Sequence, residues 1–140
     1  MSGLEFLRGI FEGRLPRPPI SRTLGFEGIE VEKGRAVFAG TPDLNYYNPI
    51  GSVHGGYAAT LLDSCMGCAV HSTLEAGQGY TTLELKVNFI RAMTAETGRV
   101  RAEGKLIHLG ARTATAEGRV IDESGKLYAH ATTTCLILRQ

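Results

Sequence analysis

This chain lacks an excess of charge of either sign. Its 140 residues carry 15 Lys and Arg against 14 Asp and Glu, a net +1. With neither a basic stripe nor an acidic tail, nothing in the composition argues for nucleic acid as a partner. Cysteine is scarce and odd in number, at three, so a paired disulfide framework is not expected. The opening MSGLEFLRGIFEG contains acidic residues and no continuous apolar core, unlike a secretory leader. The expectation is a soluble protein of the cytoplasm. A long unbroken hydrophobic run is also missing: the most apolar stretch is interrupted at Asp63 and Ser64 and is short for a membrane span. No membrane partner is expected. Internal repeats and low-complexity segments are absent, as are the G-x-x-x-x-G-K phosphate cradle and the G-x-S-x-G elbow that would make Ser64 a nucleophile. His54, His71, His108 and His130 have no ligand spacing with the cysteines, so no metal site is assigned.

What is present is glycine and apolar residues, 18 Gly and 43% hydrophobic, in a length that suits one domain with many tight turns. The organising stretch is residues 51–74, GSVHGGYAATLLDSCMGCAVHSTL. It opens on a glycine-flanked histidine and predicts a helix over 55–74, apolar on nearly every side. Such a helix belongs at the centre of a fold, covered by other elements. Its one formal charge at neutral pH is Asp63.

Around it, Ser2 and Glu5 have capping-box spacing, and Leu4, Leu7 and Phe11 recur at helical intervals, predicting a helix to Phe11. Residues 14–19 carry three prolines and read as a linker. Residues 23–32 and 35–39 read as strands joined at Lys33-Gly34, and 41–52 as a loop. Four more strands follow, over 80–91, 99–108, 111–121 and 127–138. In the first, alternation places Leu83, Leu85, Val87 and Phe89 on one face and Thr82, Glu84, Lys86 and Asn88 on the other. This order predicts an α+β domain in which an antiparallel sheet of about six strands wraps one long central helix. Residues 1–19 form an N-terminal helix and proline-rich linker, and 20–140 a single domain.

Two features can carry chemistry. Asp63 is either neutralised by a neighbouring basic residue or capped by serines, or is a nucleophile or general base tuned by its apolar surround. The Val53-His54-Gly55-Gly56 turn exposes backbone N–H groups at the positive end of the helix dipole, which suits a developing oxyanion. Gly55 and Asp63 are eight residues apart, about 12 Å along a helix, too far to act on one carbonyl carbon. If both act, Gly55 of one chain meets Asp63 of another across a two-fold interface. Cys65-Met66-Gly67-Cys68 falls in the middle of the helix, not at its start, so it reads as packing and not as a redox pair.

Asn48-Pro49-x-Gly51-x-Val53-His54-Gly55-Gly56 followed by Asp63 resembles the hotdog-fold acyl-CoA thioesterases of the phenylacetate-pathway (PaaI-type) group. Thr81-Thr82-Leu83-Glu84-Leu85-x-x-Asn88-Phe89-x-Arg91 and His108-Leu109-Gly110-x-Arg112 extend the resemblance, which covers residues 20–138. It implies a hotdog fold and hydrolysis of aryl- or medium-chain acyl-CoA to acid and CoA. The dimers it implies commonly pair into a homotetramer. Asp63 would be nucleophile or base, Gly55 the oxyanion donor, and Asn48 and His54 the groups that position the carbonyl and the attacking group. Thr82, with Thr81 second, would place water. Coenzyme A, part of the substrate and not a separate cofactor, needs cations for its phosphates, and Arg91 and Arg112 are the candidates. Two other readings stand beside hydrolysis: a hotdog enoyl-CoA hydratase or dehydratase, and a non-catalytic acyl-CoA binder. Tyr46 and Tyr47 line an acyl pocket or pack their loop.

Overall fold

In the computed structural model, which describes residues 1–139, six strands make one antiparallel sheet. They are β1 (Phe26–Glu32), β2 (Arg35–Gly40), β3 (Gln78–Phe89), β4 (Val100–Leu109), β5 (Thr113–Asp122) and β6 (Leu127–Arg139), and their spatial order is β1-β2-β4-β5-β6-β3. The helix α3 (Gly55–His71) packs along the inner face of this sheet, and none of its residues is fully exposed. The expected α+β architecture, a curved sheet around one central helix, is what the chain adopts.

Small residues in register allow that seating. Ala36 pairs with Gly104, Gly104 with Gly118, Gly118 with Ala131, and Ala131 with Val87. The row crosses five strands beneath Cys65 and Met66 of α3. A Cβ on Gly104 would collide with the Cys65 carbonyl, and one on Gly118 would come within 2.9 Å of Met66 Cγ. On either side of the row lie larger groups: Phe38 and Val120 towards the helix N-terminus, and Leu85, Leu106 and Thr133 towards its C-terminus. Helix and sheet therefore interlock at close range in the middle and through ordinary side chains at the ends.

The start of the chain follows the expected capping box: Ser2 Oγ accepts from the Glu5 N–H at 3.2 Å and Glu5 Oε1 from the Ser2 N–H at 2.8 Å. This first helix, α1 (Gly3–Phe11), lies against the C-terminal end of α3, with the Gly3 N–H donating to the Leu74 carbonyl at 3.0 Å. Residues 23–32 are not wholly strand. Pro19 opens a short helix α2 (Pro19–Thr23), because its fixed φ suits a first helical position, and β1 begins only at Phe26, after Gly25 has turned the chain at φ 61°. The central helix stops at His71, three residues before the expected end. Ser72 caps it, accepting from the Gly34 N–H at 2.8 Å and so tying the helix end to the β1–β2 turn.

The largest departure from simple alternation is in β3. Thr82 pairs with Cys135 and Glu84 with Thr134, so Leu83 is a bulge residue. One extra residue reverses the facing of everything before it. Tyr80 and Thr82 therefore share the helix-facing side with Leu85 and Val87, while Leu83 is turned out and 56% exposed. The grouping of Leu83 with Leu85 and of Thr82 with Glu84 is corrected accordingly. Thr133 marks the irregularity from the other side, its buried hydroxyl donating to the Glu84 carbonyl at 2.6 Å.

The close central seating generates an expectation for stability. Gly104→Ala should lower the unfolding free energy by about 2 kcal/mol, as overpacking against backbone does. Gly118→Ala should lower it less, because the flexible Met66 side chain can give way. Urea denaturation checks both, and a Gly104→Ala midpoint equal to wild type would contradict this packing.

Candidate active site

The helix-terminal turn is built by its neighbours. The Val53 N–H donates to the Met93 carbonyl at 2.9 Å and the His54 N–H to the Tyr46 carbonyl at 2.7 Å, which clamp the entry to α3. Tyr46 stacks on Tyr57 with ring centroids 5.0 Å apart, and Tyr47 Oη accepts from the Ala95 N–H at 2.8 Å. Both tyrosines pack the loop. Asn48 also works within the loop: its Oδ1 accepts from the Ile50 and Ser52 N–H groups and its Nδ2 donates to Ser52 Oγ at 3.1 Å.

His54 is the N-cap residue of α3. Its Nδ1 accepts from the Gly56 N–H at 2.8 Å, so Nε2 carries the proton of the neutral ring. A Cβ on Gly56 would lie 2.9 Å from that Nδ1, so this cap requires glycine. Gly56 is occupied and the Tyr57 N–H reaches the His54 carbonyl at 3.0 Å, but the Gly55 N–H has no partner among the described residues. It is the one free donor of that turn, at the positive end of the helix. The Phe89 ring lies where a Cβ of Gly55 would stand 3.1 Å away. Gly55, His54, Phe89, Arg91, Met93 and Tyr128 border one cleft of about 260 Å³.

Asp63 stands two turns along α3, half-buried. Thr82 Oγ1 donates to its Oδ1 at 2.9 Å. Among the described residues it has no other hydrogen bond to its side chain and no ion pair with a cation. The β3 bulge is what brings Thr82 to Asp63. Thr81, on the opposite face, is exposed. Tyr80, two residues earlier on the inner side, places its phenol against Gly67 and its ring 5.5 Å from that of His71, closing the helix face beyond Asp63.

The two arginines part company. Arg91 lies at the Gly55 cleft, its guanidinium carbon 6.0 Å from the centre of the Tyr128 ring. Arg112 precedes β5, whose first residue, Thr113, pairs with Leu136, whereas Phe89 pairs with Ala129. Seven residues of β6 separate these points, about 23 Å. Within one chain, His54, Gly55 and Arg91 form one group, and Asp63 and Thr82 another, with Arg112 at the far end of the sheet.

The thiols are packing groups. Burial pushes the Cys68 thiol up to about 12, with the Asp63 charge adding to it, and burial raises Cys65 and Cys135 as well. Phe89, Tyr80 and Tyr128 border these groups; the sequence offered Phe89 only as an apolar strand position and a motif residue, and neither tyrosine as a site residue. The signal for Tyr80 was position alone, two residues before Thr82.

A curved antiparallel sheet wrapped around one buried helix, with a glycine turn at the helix start and a carboxylate in its middle, defines a hotdog-fold protein. The chain belongs to the Thioesterase superfamily, whose model matches residues 50–129. A 1,4-dihydroxy-2-naphthoyl-CoA hydrolase from Listeria monocytogenes is 30% identical over 108 residues, spanning 77% of this chain and 86% of that protein. The solved structure of a phenylacetic acid degradation-related protein from Ralstonia eutropha superposes with a TM-score of 0.84 at 30% identity, covering 94% of this chain and 98% of that one. The PaaI protein of Escherichia coli superposes equally well, with a TM-score of 0.84 over 98% and 96% of the two chains, and at 20% identity the likeness is one of fold. No helix among the described residues is long and apolar enough to cross a membrane.

One carboxylate near the cleft has a pH signature. Asp122, in the β5–β6 turn, accepts from the hydroxyl and N–H of Ser124, from the Lys126 N–H and from Tyr128 Oη, and these bonds hold its pKa at about 2, below the ordinary 3.8. A depressed carboxylate contributes stability that is present above its unfolded value and lost as pH falls through its folded one. Asp122→Asn should therefore unfold at lower urea than wild type at pH 7, with the gap closing towards pH 2. A gap that stays constant over this range would contradict the assignment.

Proposed function

We propose that this protein hydrolyses the thioester of aryl- or medium-chain acyl-CoA to the free acid and CoA, with Asp63 as the reacting carboxylate. The observation that carries this reading is the state of Asp63: a half-buried carboxylate on a central helix, held by one hydroxyl and balanced by no cation among the described residues. Such a group is costly unless it is useful. Thr82 occupies Oδ1 and leaves Oδ2 to attack the thioester carbon or to take a proton from the attacking water. The acyl–sulfur bond breaks, the thiol leaves with a proton, and water supplies the hydroxyl of the acid. Water is the only co-reactant needed. The Gly55 N–H would donate to the carbonyl oxygen as its negative charge grows.

The catalytic unit in this reading is a homodimer. β3 is an edge strand with one side unpaired, and Leu83, Phe89 and Ile90 on or next to it are 56%, 58% and 54% exposed. A bare apolar edge of this kind calls for a partner. Along β3, Phe89 neighbours Gly55 at the strand's end and Thr82, seven residues earlier, neighbours Asp63. Antiparallel pairing of β3 with its own copy about a two-fold axis brings the Gly55 end of one protomer to the Asp63 end of the other. That would close the gap along the helix and leave Arg91, at the Gly55 cleft, available to the CoA phosphates.

Two substitutions test the two roles. Asp63→Asn should abolish release of free thiol from phenylacetyl-, hydroxybenzoyl- and hexanoyl-CoA while the protein stays folded, and normal turnover would sink the catalytic assignment. Gly55→Pro removes the proposed donor at a helix position that tolerates proline, after a residue already extended at φ −58° and ψ 136°. It should lower kcat by about 100-fold or more, as loss of an oxyanion donor does. Gly55→Ala, which keeps the N–H and only crowds Phe89, should lower it far less; equal losses in the two would assign the effect to crowding.

A further inference from the structure

Arg91 is the cation at the Gly55 cleft, and the fold holds it from two directions. Its backbone N–H donates to the Tyr128 carbonyl at 3.1 Å, an acceptor it shares with the Ile90 N–H at 2.8 Å. Its guanidinium lies over the Tyr128 ring. That ring is itself fixed. Tyr128 is 7% exposed, and its hydroxyl donates to Asp122 Oδ2 at 2.9 Å. Asp122 is in turn fixed by the turn it closes, where Oδ1 accepts from the Ser124 N–H and hydroxyl and from the Lys126 N–H. The chain of contacts runs from a rigid β5–β6 turn through Asp122 and the Tyr128 ring to a guanidinium that would otherwise swing free in solvent. None of these contacts is needed to close the β5–β6 hairpin except those within the turn itself. The bond from Tyr128 to Asp122 also draws electron density into the ring, which strengthens its attraction for a cation. A cation with its rotamers restricted in advance loses less freedom when an anion arrives.

We propose that Asp122 and Tyr128 are positioning residues that hold Arg91 at the mouth of the Gly55 cleft to receive a phosphate group of the CoA moiety. This rests on the thioesterase reading for its substrate, and its test separates the two. Acyl-pantetheine carries the same thioester arm without phosphate, so the ratio of kcat/KM for hexanoyl-CoA to that for hexanoyl-pantetheine isolates phosphate recognition from chemistry. Tyr128→Leu should lower that ratio about fivefold, the scale of one cation–ring contact. Tyr128→Phe, which keeps the ring and loses the bond to Asp122, should lower it by about twofold and serves if the leucine variant fails to fold. In an Arg91→Ala background neither change should lower it further. Equal losses with both substrates, or a Tyr128 effect that persists without Arg91, would overturn the proposal. If the thioesterase reading itself fails and neither substrate turns over, calorimetric Kd values for CoA and for pantetheine decide. Weaker CoA binding in Tyr128→Leu, with pantetheine unaffected, supports the positioning role, and CoA binding equal to wild type rejects it.

Discussion

The close contact between α3 and the glycine pair at Gly104 and Gly118 is the constraint on which the rest of the molecule depends. A helix can approach a sheet this nearly only where the facing side chains are absent. Here the register places the two glycines side by side and flanks them with Ala36 and Ala131. The helix is fixed in height and in rotation by that row. Its rotation then decides which residues face the sheet and which are left open: Leu61, Leu62, Cys65 and Met66 are fully buried, while Gly56, Thr60 and Asp63 are only half-buried. The carboxylate lies on the open side as a consequence of packing elsewhere.

The second device is the bulge at Leu83. It does two things with one extra residue. It turns Thr82 inward to Asp63 while keeping Leu85 and Val87 in the core, and it turns Leu83 outward on an edge strand. Bulges re-aim side chains in this way near reacting groups. Without it, strict alternation would leave Asp63 with no partner or would turn the lower half of β3 out of the core. The polar hold on Asp63 and the exposed Leu83 on the edge strand thus arise from the same local irregularity.

Much of this was legible in the residues. The capping box at Ser2 and Glu5, the glycine turn at Lys33-Gly34, the six strands and the buried helix follow from spacing and from φ-permissive residues. The grouping of Asp63 with Thr82 came from resemblance alone, because periodicity put Thr82 on the polar face with Glu84. A bulge leaves no mark in the pattern of β3: Leu83 is as apolar as its neighbours. Short-range turn chemistry hid α2 as well, since three prolines in a row of six residues read as a linker although the last of them begins a helix. Asp122 and Tyr128 face each other across the short β5–β6 turn, but Arg91 lies far from both in sequence, and the pairing of β3 with β6 brings it to them.

The central claim is that Asp63 and Gly55 act on one thioester from two different chains. Subunit complementation tests it most directly. The Asp63→Asn and Gly55→Pro proteins, each with little or no activity alone, would be co-expressed in equal amounts and the unseparated mixture assayed for thiol release, with different tags used to verify that mixed dimers form. A site shared across the two-fold axis leaves one intact site in every mixed dimer, so a random mixture should recover about a quarter of wild-type activity. If mixed dimers form and no activity returns, Asp63 and Gly55 must be supplied by the same chain, and the shared site is wrong.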